Sequence, residues 1–134
     1  MQAPLGHIQF NVRAENLPFY RDLLDFLGWN LIGDWPAMVG VGYVDGQSLW
    51  FSGEAKAVEN DYDGPGMNHL AFAAASVADV DEAVAYLTAR GVAPLFNTPC
   101  HRPEFARNEQ STYYQVMFET PDRILIEIVY IGPL

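Results

Sequence analysis

Three residues stand where their side chains are costly to place. His7 opens the stretch "GHIQFNV", His69 opens "NHLAFAA", and Glu127 lies inside "ILIEIVYI". Alternation along an extended chain sorts each stretch into two faces. In the first, Ile8, Phe10 and Val12 oppose His7, Gln9 and Asn11; in the second, Leu70 and Phe72 oppose His69, Ala71 and Ala73. In the third, Ile124, Ile126, Ile128 and Tyr130 oppose Leu125, Glu127 and Val129. A lone carboxylate between two isoleucines costs roughly several kcal/mol to desolvate unless it is protonated, paired or bound to a cation. Lys and Arg together number only seven. Two imidazoles and one carboxylate on matching faces form a ligand set for a divalent ion. His7, His69 and Glu127 are therefore the candidate metal ligands, with Glu127 also the candidate catalytic group. Taken singly, each has a plainer role as a surface or hydrogen-bonded residue, so the reading rests on their coincidence.

The elements that must carry these residues repeat along the chain. Each histidine opens a short strand that leads, through a turn, to an amphipathic helical segment: "ENLPFYRDLLDFLGW" in the first half and "ADVDEAVAYLTARGV" in the second. Each segment ends on a glycine, Gly28 or Gly91, which suits a left-handed cap. Phe19, Leu23, Phe26 and Leu27 are the expected apolar face of the first helix, with Pro18 tolerated in its first turn. Val80, Ala83, Val84 and Leu87 are that of the second, and Asp79 with Glu82 has the form of a capping box. Three strand-like pieces follow each helix: "NLIGDW", "AMVGVGY" and "SLWFSG", then "VAPLFN", "TYYQVMF" and "ILIEIVYI". Asp45-Gly46 marks a hairpin turn. The pattern predicts an α+β domain of two βαβββ modules with a curved, mostly antiparallel sheet and the helices outside. The first module spans about 1–55, a linker about 56–66, and the second module about 67–134. The polar stretch 98–111 is expected to be a loop over a cavity.

Composition narrows the partners. The chain has 134 residues, half of them hydrophobic, which is enough for one domain with a substantial core. A formal net charge of −10 argues against nucleic acid and anionic membrane surfaces. No apolar run approaches the ~20 residues of a membrane span, and no signal peptide is evident. The single cysteine, Cys100, cannot form an internal disulfide, which suits a reducing cytoplasm. No phosphate-binding glycine loop or nucleophile elbow occurs. A small-molecule ligand is the expected partner. Trp50, Phe51, Tyr113, Tyr114 and Met117 offer an apolar and aromatic wall for it, and each has core packing as its plainer role. Gln9 and Asn11 are placed to bind it or to orient His7. His101, in "PCHRPEF", is a candidate lid or acid–base residue. Asn68 falls on the opposite parity to His69 and is given no role.

The phrases "GHIQFNV…PFYRDLLDFLGW", "MNHLAFAAASVADVDEAVAYLTARGV" and "YYQVMFETPDRILIEIVY" resemble the vicinal oxygen chelate superfamily, which includes glyoxalase I, bleomycin- and fosfomycin-resistance proteins and extradiol dioxygenases. The resemblance covers almost the whole chain. It implies paired βαβββ modules, a homodimer, and a divalent metal (Fe, Zn, Mn or Ni) held by His7, His69 and Glu127. It also implies chemistry on a small substrate chelated through adjacent oxygens.

The sequence departs from that family in two places. Relatives often have Gly after the Pro-Asp turn, where this chain has Arg123. Counting four residues from Gly46, as Glu127 follows Arg123 by four, places Trp50 at the fourth ligand position. Indole offers only an N–H donor and cannot ligate. Glu54 shares the strand parity and would substitute only if the register slipped. A three-ligand set resembles the two-His, one-carboxylate triad of non-haem iron enzymes, so a dioxygenase-like or a lyase- or isomerase-like enzyme is expected. The acid–base Tyr and His of the dioxygenases would fall near Met117 and Asn108, where neither residue type stands. The other reading is a protein that sequesters a drug or metabolite without catalysis, as bleomycin-resistance proteins do.

Overall fold

The computed structural model describes residues 1–134, and the chain divides into two compact units, Met1–Glu59 and Asn60–Leu134. The first holds β1 (His7–Asn11), a single 3-10 turn (Ala14–Asn16), α1 (Leu17–Phe26), β2 (Asn30–Trp35), β3 (Met38–Gly42) and β4 (Ser48–Ser52). The second holds β5 (His69–Ala73), α2 (Val77–Ala89), β6 (Leu95–His101), a 3-10 turn (Pro103–Phe105), β7 (Ser111–Glu119) and β8 (Leu125–Pro133). Both follow the βαβββ order. No helix is long and apolar enough to cross a membrane.

Each unit builds its own four-stranded sheet, ordered β1-β4-β3-β2 and β5-β8-β7-β6. Two of the three strand pairs in each are antiparallel. The third, β1 with β4 or β5 with β8, is parallel because the helix crossover and the meander return the last strand beside the first. The fourth strand of each unit thus lies between two neighbours, and that is where Trp50 and Glu127 sit.

Helix ends explain much of the repeat. In α1, Trp29 N–H reaches Leu24 O and Gly28 N–H reaches Asp25 O; in α2, Val92 N–H reaches Leu87 O and Gly91 N–H reaches Thr88 O. Gly28 (φ 86°) and Gly91 (φ 74°) close these paired bonds in the left-handed region, as a Schellman cap requires. The N-terminal cap of α2 lies one turn earlier than Asp79–Glu82. Ser76 Oγ accepts from Asp79 N–H at 3.1 Å, and the Asp79 carboxylate accepts from Ala75 N–H at 3.2 Å. Serine in extended conformation satisfies a first-turn amide there, which aspartate inside the helix does not.

The apolar face of α1 is also rotated from the expected one. Leu17, Tyr20, Leu23 and Leu24 are buried, whereas Phe19, Phe26 and Leu27 are only half-buried. The Tyr20 ring stacks on Phe51 at 4.5 Å, and Phe51 stacks on Phe10 at 5.2 Å, tying α1 to the paired strands β4 and β1. Phe51 is therefore core, with no share in a ligand wall. In the second unit Val80, Ala83 and Leu87 are buried on α2, and Val116, Phe118, Ile126 and Ile128 are buried on β7 and β8. Full burial of each large side chain contributes about 1.5–3 kcal/mol.

The stretch expected as a loop from residue 98 is instead strand as far as His101. Phe96 and Asn97 take positive φ, and the β6–β7 register breaks between Leu95 and Cys100. The Thr98 hydroxyl bridges the break, donating to Leu95 O at 2.6 Å and accepting from Met117 N–H at 3.0 Å. A side chain here does the work of a missing backbone pair, which alternation of polarity does not reveal.

Candidate functional site in the second unit

β8 is flanked by β5 and β7, so one row across the sheet reads Ala71, Glu127, Met117. Strand alternation puts His69, Tyr113 and Gln115 on the same face. Glu127 is 1% exposed, the most buried acidic group of the core. Ala71, with only a methyl group, leaves the carboxylate room to turn toward its neighbours.

Both oxygens of the carboxylate face side chains of its own unit. Oε1 accepts from the Tyr113 hydroxyl at 2.5 Å and from Gln115 Nε2 at 3.0 Å. Oε2 lies 3.0 Å from Nε2 of His69, whose side chain is 36% exposed. Neutral donors thus satisfy one oxygen of Glu127, a solution that a count of lysines and arginines overlooks. Burial, then the hydrogen bond to Glu127 and its negative charge, push the Tyr113 phenol up to about 12. Tyr113 therefore remains a proton donor to Glu127 across the physiological range.

A ring of supporting contacts surrounds the pair. Asn68 Oδ1 lies 2.7 Å from His69 Nδ1, and Asn68 Nδ2 donates to Tyr62 O at 2.9 Å. Arg102 Nε donates to Gln115 Oε1 at 3.1 Å, while its Nη2 donates to Phe96 O at 2.9 Å. Asn68, Gln115 and Arg102 are residues that sequence reasoning missed. Parity excluded Asn68, but β5 begins only at His69, so alternation does not govern the residue before it. Gln115 was legible, since it shares the parity of Tyr113 and Met117.

The remaining candidates fall in different places. His101 and Tyr114 pair across β6 and β7 on the face opposite Glu127. Their rings lie 4.6 Å apart, His101 Nδ1 meets Thr112 Oγ1 at 2.5 Å, and the Tyr114 hydroxyl donates to Asp81 of α2 at 2.6 Å. His101 thus lies on a strand, facing away from the His69–Glu127 pair. Met117 is the direct cross-strand neighbour of Glu127.

In the first unit, His7 is exposed at the start of β1, and Gln9 Nε2 donates to Asn11 Oδ1 at 3.3 Å. Gln9 and Asn11 thus bond to each other. The paired registers make the repeat quantitative. Residue Gln9, two beyond His7, pairs with Trp50, and Ala71, two beyond His69, pairs with Glu127. Trp50 occupies the register position of Glu127. Its ring lies across Gly40 of β3, where an added Cβ would come within 2.4 Å of Cζ3, and its Nε1 donates to Ser48 Oγ at 3.0 Å. Glu54 lies beyond β4 and bridges to Arg13, so no slip of register brings it to that position. Arg123 takes φ 58°, the left-handed conformation that glycine adopts most readily.

The two donor types that meet in the second unit, imidazole nitrogen and carboxylate oxygen, fit a divalent ion. Imidazole nitrogen and carboxylate oxygen each about 2.1 Å from one ion, at right angles, stand about 3.0 Å apart. Nε2 of His69 and Oε2 of Glu127 have that separation. No group of three or more His, Cys, Asp or Glu side chains gathers in a metal-binding arrangement, so these two are the ligand types that meet.

Comparison with known proteins agrees with the fold. The family model for the Glyoxalase/Bleomycin resistance protein/Dioxygenase superfamily matches residues 5–128. The crystal structure of a candidate glyoxalase from Bacillus halodurans superposes with a TM-score of 0.80 at 31% identity, over 96% of each chain. The fosfomycin resistance protein FosX of Listeria monocytogenes, solved with Mn(II) and sulfate, superposes at 0.70 with 21% identity, over 98% of this chain and 92% of that one. YqjT of Bacillus subtilis is 42% identical over 64 residues, 48% of this chain and 46% of YqjT, so the match spans about half of that relative. With a family model matched from the first strand to the strand that carries Glu127, and a relative of nearly equal length alike in fold and sequence, the chain belongs to the Glyoxalase/Bleomycin resistance protein/Dioxygenase superfamily.

Proposed function

We propose that this protein is a divalent-metal-dependent enzyme acting on a small substrate that presents two adjacent oxygens. The observation that carries the reading is the Glu127 carboxylate, held by Tyr113 and Gln115 through one oxygen and turned with the other toward His69 Nε2. A buried carboxylate fixed in this way is prepared as a one-oxygen ligand, with its orientation set before anything binds. A divalent ion at such a site supplies Lewis-acid stabilisation of charge that develops on a substrate oxygen. The chain's own groups do the rest. Glu127 and His69 are the ligands, His7 is the third ligand expected from the family, and Tyr113 keeps its proton and restrains Glu127. Met117 gives the pair an apolar neighbour. Manganese is a reasonable first ion to try, because FosX was crystallised with Mn(II); iron, zinc and nickel fit the same donor types. Ring-opening by oxygen and lyase- or isomerase-type chemistry are the two reaction classes, in the cytoplasm and from a homodimer.

The decisive experiment is metal analysis of protein purified without added metal, followed by titration with Mn(II), Fe(II), Zn(II) and Ni(II). Stoichiometric binding that His69→Ala abolishes is the expected result. Absence of binding for every ion would dismiss the enzyme reading. Oxygen uptake with a catechol under Fe(II) then separates a dioxygenase from a lyase or isomerase. Sedimentation at the mass of one chain would remove the dimer.

A second reading has a specific observation behind it. Trp50 stands at the register position of Glu127 and offers a flat aromatic surface instead of a ligand. That favours a protein that holds a drug or metabolite against an aromatic wall without reacting with it. Tight ligand binding in metal-free protein, with no turnover when metal is present, would establish this alternative.

A further inference from the structure

We propose that Asn68, oriented by the backbone carbonyl of Tyr62, is a positioning residue that fixes the tautomer of His69. The chain of reasoning starts at an unambiguous acceptor. A backbone carbonyl can only accept, so the Asn68 atom 2.9 Å from Tyr62 O is the amide nitrogen. The other end of the amide, Oδ1, then faces His69 Nδ1 at 2.7 Å. An amide oxygen is an acceptor, so Nδ1 carries the hydrogen. In the neutral ring this leaves the lone pair on Nε2, the nitrogen that faces Glu127 Oε2 at 3.0 Å.

Two acceptors that face each other at 3.0 Å repel unless a cation, either a proton or a metal ion, lies between them. Asn68 therefore converts a histidine–glutamate contact into a site that demands positive charge. Without it, the Nε2–H tautomer would donate to the Glu127 carboxylate while the ring stayed neutral, and the demand would disappear.

The carbonyl that orients Asn68 is itself anchored. Tyr62 is 8% exposed although it lies in no helix or strand, and its hydroxyl donates to Glu119 Oε1 at 2.5 Å. Asn60 Nδ2 donates to Arg123 O at 2.9 Å, and the Arg123 guanidinium lies 5.5 Å from the Tyr62 ring centre. The segment Asn60–Asn68 is thus pinned to the β7–β8 turn and delivers one amide to one imidazole. The part of the inference that concerns metal rests on the proposed function; the part that concerns the tautomer does not.

The test uses the full chain labelled with nitrogen-15. In metal-free protein, at a pH where the His69 ring is neutral, long-range proton–nitrogen correlation should show hydrogen on Nδ1 and none on Nε2. Asn68→Ala should move the hydrogen to Nε2, and Asn68→Asp, which keeps an acceptor, should leave it on Nδ1. Zinc titration of the same proteins should show binding about 10–100-fold weaker in Asn68→Ala than in wild type. Both substitutions fall at an exposed position, and circular dichroism confirms that the fold is retained. Hydrogen on Nε2 in wild type, or on Nδ1 in Asn68→Ala, would overturn the proposal. The expected tautomers with no zinc binding in wild type would uphold the role of Asn68 and overturn the metal reading alone.

Discussion

Nε2 of His69 and Oε2 of Glu127 stand 3.0 Å apart, and the other oxygen of Glu127 is already taken by Tyr113 and Gln115. Replacing Glu127 separates the ligand role from the structural one. Glu127→Gln keeps a carbonyl oxygen for Tyr113 and Gln115 and turns an amide N–H toward His69. Its stability should stay within about 1 kcal/mol of wild type while metal binding is lost. Glu127→Ala strands two buried donors and opens a cavity, and should cost about 3 kcal/mol. Urea unfolding of both variants, beside metal titration, checks the contrast; equal destabilisation would show that the carboxylate is held for stability alone.

Gly40 tests how firmly Trp50 is placed. A Cβ at that position would fall 2.4 Å from Cζ3 and 2.6 Å from Cε3 of the indole. Gly40→Ala should therefore displace the ring, break its bond to Ser48 and cost about 1–3 kcal/mol. Trp50→Ala removes the obstacle, so the double variant should be less destabilised than the sum of the two singles. Additive losses in thermal unfolding would mean that Trp50 has room to swing aside.

The cap of α2 offers an independent check on the second unit. Ser76 Oγ satisfies the amide of Asp79 in the first turn. Ser76→Ala should lower stability by about 1 kcal/mol, and Ser76→Asp should restore most of it. Denaturant midpoints of the two variants measure this directly; an unchanged midpoint in Ser76→Ala would place the helix start elsewhere.

What was legible in the sequence followed from periodicity, and what was not followed from local departures from it. Alternation placed His69 and Glu127 on one face, because both lie within regular strands. Counting four residues from each turn makes Trp50 the counterpart of Glu127, and the matched registers of Gln9 with Trp50 and Ala71 with Glu127 agree with that count. Asn68 escapes alternation because it lies one residue before the strand that begins at His69. The strand position of His101 is hidden from periodicity because left-handed Phe96 and Asn97 interrupt β6, and a side chain, Thr98, repairs the ladder. Tyr113 and Gln115 serve one oxygen of Glu127 with neutral donors, which a count of lysines and arginines does not register, and the other oxygen is left facing His69.

Tyr114 carries the pH dependence that follows from the opposite face of the β7 strand. The hydrogen bond to Asp81, then burial, then the charge of Asp81 raise its phenol from 10 to about 12. In the unfolded chain the phenol ionises near 10, so between pH 10 and about 12 the folded state binds more protons than the unfolded one. The contribution of the Tyr114–Asp81 contact is therefore fully present below pH 10 and is lost as pH rises toward 12. Asp81→Asn removes the carboxylate and should bring the phenol back toward 10. Absorbance of the phenolate should accordingly rise earlier in Asp81→Asn than in wild type, with Tyr114→Phe identifying the step. The stability gap between wild type and Asp81→Asn should narrow over the same pH interval. A gap that stayed constant from pH 9 to 12 would show that the bond contributes without regard to the ionisation of Tyr114.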